Sequence, residues 1–393
     1  MLFKPKTKEE LRKAIEKYCE NNDQSNGNIN DWDVSLMTDM SKLFFCCYYS
    51  NCNKKIHQFN QPINNWNVSN VTNMNSIFSY CDHFNQPINN WNVSNVTDMS
   101  CMFYCCYVFN QPINNWNVSN ATNMSFMFSH CYVFNQPINN WNVSKVEDMS
   151  SMFRCCKEFN QPINNWNVSN VTNMSEMFYE CKEFNQSLNN WNVSNVTNMS
   201  YMFSYCKKFN QSLNNWNVSN VTDMCFMFSS CHVFNQPINN WNVSNVTNMC
   251  FMFSFCHVFN QPINNWDVSN VTNMRCVFYC CVEFNQPLNN WNVSNVTDIK
   301  STFYGCKLNK TYKEQFYMKN IEKKNKYALY EISFDMSIIK IYYMSKDKKF
   351  IMNNIDDDQK NEIQNFIKNK TEDICELCYL QMDCVNNICA LCS

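Results

Sequence analysis

The residues best placed for chemistry stand at the end of the chain, in CELCYLQMDCVNNICALC. Cys375 and Cys378 form one C-x2-C knuckle and Cys389 and Cys392 another, ten residues apart. Paired knuckles of this kind supply four thiolates to a tetrahedral zinc ion. The spacing is shorter than in common zinc ribbons and Cys384 is left over, so ordinary free thiols are the alternative in a chain with 26 cysteines. The five histidines, His57, His83, His130, His232 and His257, fall in an insertion or in variable positions. No Ser/His/Asp arrangement, Gly-rich phosphate loop or paired-carboxylate motif accompanies them, and the expectation is a chain that is not an enzyme. N-V-S and N-V-T triplets, as at Asn67 and Asn70, match the glycosylation acceptor pattern. They recur with the repeat described next and read as structural columns.

What must position these groups is a repeat. FNQPINNWNVSNVTNM, at Phe59–Met74, returns every 25 residues, and all eleven tryptophans mark the period from Trp32 and Trp66 to Trp291. Trp32 and Trp66 are 34 apart, so the first unit carries nine extra residues near YYSNCNKKI. A fixed period of this length signals a solenoid or a propeller. Counted from each tryptophan, position 8 is methionine (Ile299 in the last unit), position 12 phenylalanine and position 15 cysteine. Met74, Ile77, Phe78 and Cys81 therefore share i, i+3, i+4, i+7 spacing, which predicts one face of a short helix. The Asn or Asp at position 7, as at Asp39 and Asn73, reads as its N-cap. Trp66 and Val68 alternate with polar residues as in a strand, as do Phe59, Gln61 and Ile63, with Pro62 breaking the second segment. With only two glycines in the chain, Asn64-Asn65 is expected to take the left-handed turn conformation. The position-15 cysteines read as a ladder of buried thiols rather than disulfides, while Cys105, Cys155 and Cys280 are expected to be exposed.

The pattern W-x-V-S-x-V-T-x-M-x-x-M-F-x-x-C-x-x-F-N-Q, over residues 28–308, resembles the BspA-like leucine-rich-repeat proteins in their 25–26-residue surface-lipoprotein branch, with the composition of a giant-virus member. The resemblance implies an α/β solenoid of eleven coils and the binding of host or partner molecules rather than catalysis. Residues 1–27 are expected to form an N-terminal cap, with Thr7–Glu10 as a capping box and Leu11, Ala14, Ile15 and Tyr18 facing the first coil. Residues 309–393 change composition. YALYEISFDM, SIIKIYYM and KKFIM read as three strands and DDDQKNEIQNFIKNK as a helix, together a small α+β domain with a cysteine-rich tail.

Formal charge is −2, which gives no footprint for nucleic acid. No apolar run is long enough to span a membrane, and the start lacks the apolar core of a signal peptide. The expected location is cytoplasmic, including a host cytoplasm or a virion. The functional clue is the set of positions that vary between units: 10, 13, 14 and 17 after each tryptophan, placed opposite the Met/Phe/Cys stripe. They hold Tyr80, Tyr104, His130, Arg154, Glu176, Tyr179, Glu180, Tyr201, Tyr205, Phe226, Phe251, Phe255 and Tyr279. Aromatic side chains are enriched where protein partners bind, so this face is the candidate protein–protein surface. The alternatives are a surface adhesin binding host matrix or glycan, and an adaptor of a ubiquitin ligase with a zinc-binding tail. No cofactor is expected in the repeats.

Overall fold

The computed structural model describes residues 3–21, 23–45 and 54–324, and strands at 329–332, 339–344 and 350–353. It divides into two compact units, Met1–Asn320 and Ile321–Ser393. The first unit is a solenoid whose coils repeat every 25 residues and stack in register through a run of parallel bridges, from Asp39 with Asn73 to Asn273 with Asp298.

Among the described residues the short helix expected in each coil is absent. In an α-helix every N–H would donate four residues back. Here the N–H groups alternate. Those of Ile77, Ser79 and Cys81 close turns on Met74, Ser76 and Phe78. Those of Met74, Ser76, Phe78 and Tyr80 donate to Asp98, Ser100, Met102 and Tyr104 of the next coil, at 2.7–3.0 Å. Three overlapping four-residue turns, 74–77, 76–79 and 78–81, bring Met74, Ile77, Phe78 and Cys81 to one side, and a period of four is easily mistaken for one of 3.6. The cap residue has a related but different role. The Asn73 side-chain oxygen accepts from the Asn75 N–H two residues on, at 2.9 Å, and so opens a turn instead of a helix.

The left-handed residues are also not the asparagines. Among the described residues, positive φ occurs at positions 10 and 14 of the coils, as in Ser76 (56°) and Tyr80 (66°), and glycine fills such a position at Gly305 (70°). There a Cβ would lie 3.0 Å from the Cys280 sulfur, so the last turn closes tightly on the coil before it. The alternating segments around Trp66 and Ile63 are extended but form no hydrogen-bonded ladder. Side chains join the coils there instead. Each indole N–H from Trp66 to Trp291 donates to an Ile or Leu oxygen of the preceding coil, as Trp91 does to Ile63 at 3.0 Å. The Asn60 side-chain oxygen takes the Asn85 N–H and the Gln86 amide. The Asn95 amide donates to Ser69 at 2.8 Å.

The core is made of aromatic columns. Phe78, Phe103 and Phe128 stack with centroids 5.6–5.7 Å apart, and Phe84, Phe109 and Phe134 run beside them at 6.0–6.2 Å. From Cys81 to Cys281 the position-15 thiols are fully buried and free, and from Cys106 to Cys256 each donates to a phenylalanine oxygen of the preceding coil at 2.8–3.0 Å. Cys105 and Cys155, expected to be exposed, are only 5% and 6% exposed, and Cys280 is half-buried. At position 14 a short side chain is overhung by larger neighbours, such as Tyr104 and Tyr107, which hydrogen-bond to Cys105.

The ends of the array are closed by helices. Helix α1, Lys8–Asn21, buries Leu11, Ala14 and Ile15 and sets Tyr18 edge-on to Trp32. Thr7 caps it by accepting the Glu10 N–H, but Glu10 returns to the Lys6 N–H rather than to Thr7. Arg12 donates to the carbonyls of Lys42 and Phe45, and the Phe45 position is one that later coils satisfy from the preceding coil. Helix α2, Lys310–Lys324, went unread in the sequence. Its Phe316, 2% exposed, packs on Phe303 and Trp291. The first unit thus ends at Asn320, beyond the expected boundary at residue 308. Thr302 replaces a core methionine, yet is fully buried because its hydroxyl donates to a main-chain oxygen, with those of Ile299 and Met274 at 2.7 and 3.1 Å.

The second unit contains strands β1 (Leu329–Ile332), β2 (Ile339–Met344) and β3 (Phe350–Asn353), antiparallel in the order β1-β2-β3. Ile332 pairs with Ile339 and Met344 with Phe350. The helix read over DDDQKNEIQNFIKNK and the four cysteines proposed for zinc lie outside the described residues.

A candidate partner-binding face

Positions 10, 13 and 14 sit in the turns that carry the left-handed residues. A residue with positive φ turns its side chain out of the turn, away from the Met/Phe/Cys core. Nine of the thirteen candidate residues have positive φ: Tyr80, His130, Glu176, Glu180, Tyr201, Tyr205, Phe226, Phe251 and Phe255. The remaining four, Tyr104, Arg154, Tyr179 and Tyr279, occupy position 13, whose carbonyl receives the N–H of position 14 from the coil before.

The candidates form runs of touching side chains. Tyr80 meets Tyr104 at 5.2 Å, and Tyr104 meets His130 at 5.7 Å. Arg154 lies 4.4 Å over the Tyr179 ring and is ion-paired with Glu176. Tyr179 contacts Tyr201 and Tyr205, and Tyr201, Phe226 and Phe251 stack face to face at 4.4 Å. Phe255 meets Tyr279 at 5.4 Å. The rings shield one another. The candidates are half-buried, and Phe251 is only 7% exposed. They form a ridge of ring faces and edges rather than a set of free side chains.

Further residues join this face. Phe126, at position 10, is 37% exposed and touches Tyr104. The column rule that selected Phe226 would have selected it. Position 16 contributes Tyr107 stacked on Tyr132 at 5.1 Å, Lys157 at 4.3 Å over Tyr132, and His232 edge-on to His257 at 4.9 Å. These alternating rings and cations were the signal in position 16. Val108, Val133, Val233 and Val258, at position 17, add exposed aliphatic side chains, as does Val282 at position 16.

Electrostatics keep the aromatic groups neutral. Burial, with help from Cys105 and Tyr80, pushes the Tyr104 hydroxyl up, and burial and Glu180 do the same to Tyr179. Burial and then the cations Arg154 and Lys157 lower His130 to about 4. The Ser129 hydroxyl lies 3.0 Å from His130 Nδ1, but a ring held neutral by facing cations is a weak proton acceptor. Among the described residues no group of three or more His, Cys, Asp or Glu is disposed to hold a metal.

The family described as "Mycoplasma protein of unknown function, DUF285" matches three stretches, residues 13–139, 122–232 and 206–316. The chain belongs to this family. The DUF285 matches begin inside α1 and end at Phe316 of α2, so they cover the coils together with much of both closing helices. No curated protein and no solved structure matches the chain. Among the described residues no helix is long and apolar enough to cross a membrane.

Proposed function

We propose that the solenoid is a non-enzymatic protein-binding scaffold whose working surface is the aromatic and charged ridge at positions 10, 13 and 14. The observation that carries this reading is the contrast between columns. Positions that bury side chains or join coils repeat almost unchanged, whereas the ridge holds Tyr104, Arg154, Tyr179, Phe226 and Phe255 in changing order. Tyrosine and arginine with rigid, mutually supported rings provide contact area at low entropic cost. A reducing compartment, such as the cytoplasm of a cell infected by a large virus, suits thiols that donate to carbonyls. The zinc reading of Cys375, Cys378, Cys389 and Cys392 belongs to the same proposal as a second contact module.

The test is affinity capture from source or host cells with the full chain and with a variant carrying Tyr104→Ser, Tyr179→Ser, Tyr205→Ser and Phe255→Ser. Serine stands naturally at these positions in Ser79, Ser204 and Ser230, so the variant is expected to fold. A partner captured by the native chain and lost from a variant with an unchanged unfolding midpoint supports the ridge. Equal capture by both removes it as the binding surface.

A further inference from the structure

Position 9 is serine or asparagine from Ser41 to Ser200, then becomes Cys225 and Cys250 in two successive coils, followed by Arg275. The register holds these two cysteines side by side. The Cys225 carbonyl accepts from the Tyr201 N–H and the Cys250 carbonyl from the Phe226 N–H, both at 2.8 Å. The Cys225 N–H is fixed by Asp223 at 2.8 Å and that of Cys250 by Asn248 at 3.2 Å. The adjoining rings of Phe226 and Phe251 stack at 4.4 Å with an 8° tilt, so the two turns run parallel at close contact. Hydrogen-bonded neighbouring segments lie about 4.8 Å apart, within the Cα span a disulfide can bridge.

The thiols differ from those of the buried column. Column thiols donate to carbonyls and are fully covered, whereas the Cys225 S–H donates to the Cys250 sulfur. Cys250 is half-exposed and Cys225 is 9% exposed. The S–H donated by Cys225 favours the Cys250 thiolate, and the Arg275 guanidinium one coil further on adds to this, against the cost of burial and the carboxylates of Asp223 and Asp298. A partly exposed thiol whose ionisation is favoured by a second thiol and a cation is the arrangement of redox-responsive cysteines.

We propose that Cys225 and Cys250 form a thiol oxidation site at which a hydroperoxide generates a disulfide between consecutive coils. With hydrogen peroxide, the Cys250 thiolate attacks one oxygen, the O–O bond breaks, and the departing hydroxide takes a proton to become water. The Cys225 sulfur then attacks the resulting sulfenic acid at sulfur, the S–O bond breaks, and a second water leaves with the Cys225 proton. Two thiols lose two electrons and two protons, and one peroxide is reduced to two waters.

The test treats the reduced full-length protein with one equivalent of hydrogen peroxide at pH 7, followed by alkylation and mass-spectrometric mapping. Cys250 is expected to react at least tenfold faster than the half-exposed Cys19, Cys101, Cys280 and Cys306, and to end in a disulfide with Cys225. In Cys225→Ser the product is expected to stop at a sulfenic acid on Cys250 that dimedone traps. In Cys250→Ser the fast phase is expected to vanish. Serine is the usual occupant of this position, and the native protein's rates decide the matter even if a variant folds poorly. Cys250 reacting no faster than Cys101 and Cys280, or a sulfenic acid persisting on Cys250 while Cys225 is present, overturns the proposal.

Discussion

The indole N–H of Trp91 reaches the main-chain oxygen of Ile63 in the preceding coil at 3.0 Å, and the same oxygen accepts the Trp66 N–H at 3.2 Å. One carbonyl therefore closes its own coil and ties down the next. Trp32 heads the array and has no preceding coil. Its indole N–H is buried without a hydrogen-bond partner, and its ring rests on Phe3 and Tyr18.

This asymmetry gives a paired prediction. Trp166→Phe removes a donor to Ile138 and part of a large buried side chain, and is expected to cost about 2–4 kcal/mol. Trp32→Phe loses packing but no hydrogen bond, and is expected to cost at least about 1 kcal/mol less. Urea unfolding of both variants measures the difference. Equal losses would mean that packing alone, and not the indole bond, joins the coils.

Positive φ in residues other than glycine predicts a second pair. Ser301 is exposed with φ 52°. Ser301→Gly is expected to be neutral or to stabilise by up to about 1 kcal/mol, because relief of the left-handed conformation outweighs glycine's extra freedom in the unfolded chain. Ser301→Val, with a branched Cβ, is expected to destabilise by about 1–2 kcal/mol. Thermal unfolding would show midpoints moving in opposite directions, and two midpoints that fall together would refute the assignment of strain to this turn.

The repeat, its period and its buried columns were legible in the sequence because each column carries one residue type through many coils. The local conformation was not. Met74, Ile77, Phe78 and Cys81 satisfy a helical pattern, and only the alternation of N–H partners between Met74 and Asp98 on one hand and Ile77 and Met74 on the other distinguishes turns from helix. The same misreading put the left-handed residues at Asn64-Asn65. Asparagine is the usual glycine substitute, yet here Asn64 accepts the Asn90 N–H from the next coil at 3.1 Å. The face formed by positions 10, 13 and 14 could be read from its variability, but its mutual shielding could not, since ring contacts such as Tyr201 on Phe226 depend on stacking between coils.

His130 gives the face a pH response. Its pKa, lowered from 6.5 to about 4 by burial, Arg154 and Lys157, is below that of the unfolded chain. As pH falls from 6.5 towards 4 the unfolded state takes up a proton that the folded state refuses, so stability supplied by the neutral ring is lost over that window. For a half-buried ring, after allowance for solvent screening, this amounts to about 1–2 kcal/mol. Denaturant titrations at pH 7 and pH 4.5 are expected to show a smaller loss for His130→Gln than for the native chain. An identical loss in both would place the ring's titration at its ordinary value.

The position-15 thiols from Cys81 to Cys281 should be inert in the folded state. Cys131, Cys156, Cys181 and Cys206 are fully buried, and burial raises each well above the ordinary thiol value. Iodoacetamide at pH 8 is expected to leave them unmodified until denaturant is added, as mapped by mass spectrometry. Labelling of any of them under native conditions at the rate of half-exposed Cys101 would show that the coils open far more readily than their bonding suggests.

The last prediction concerns the array as a whole. In a solenoid each coil touches only its neighbours, so removing one complete unit preserves every contact type and loses on the order of one coil's share of the stability. Deleting Asn167–Trp191 joins Trp166 to Asn192 with all columns in register. The shortened chain is expected to unfold cooperatively with a modestly lower midpoint. Deleting only Asn167–Phe178 leaves a remnant of 13 residues that cannot place an indole N–H, a phenylalanine and a thiol against the coil before it. Its sharp transition is expected to be lost, because buried carbonyls such as those of Phe153 and Ile163 would no longer meet the aligned donors that Cys181 and Trp191 provide. Near-UV circular dichroism through a thermal ramp separates the two cases. Equal damage from both deletions would show that particular coils, rather than their common register, hold the array together.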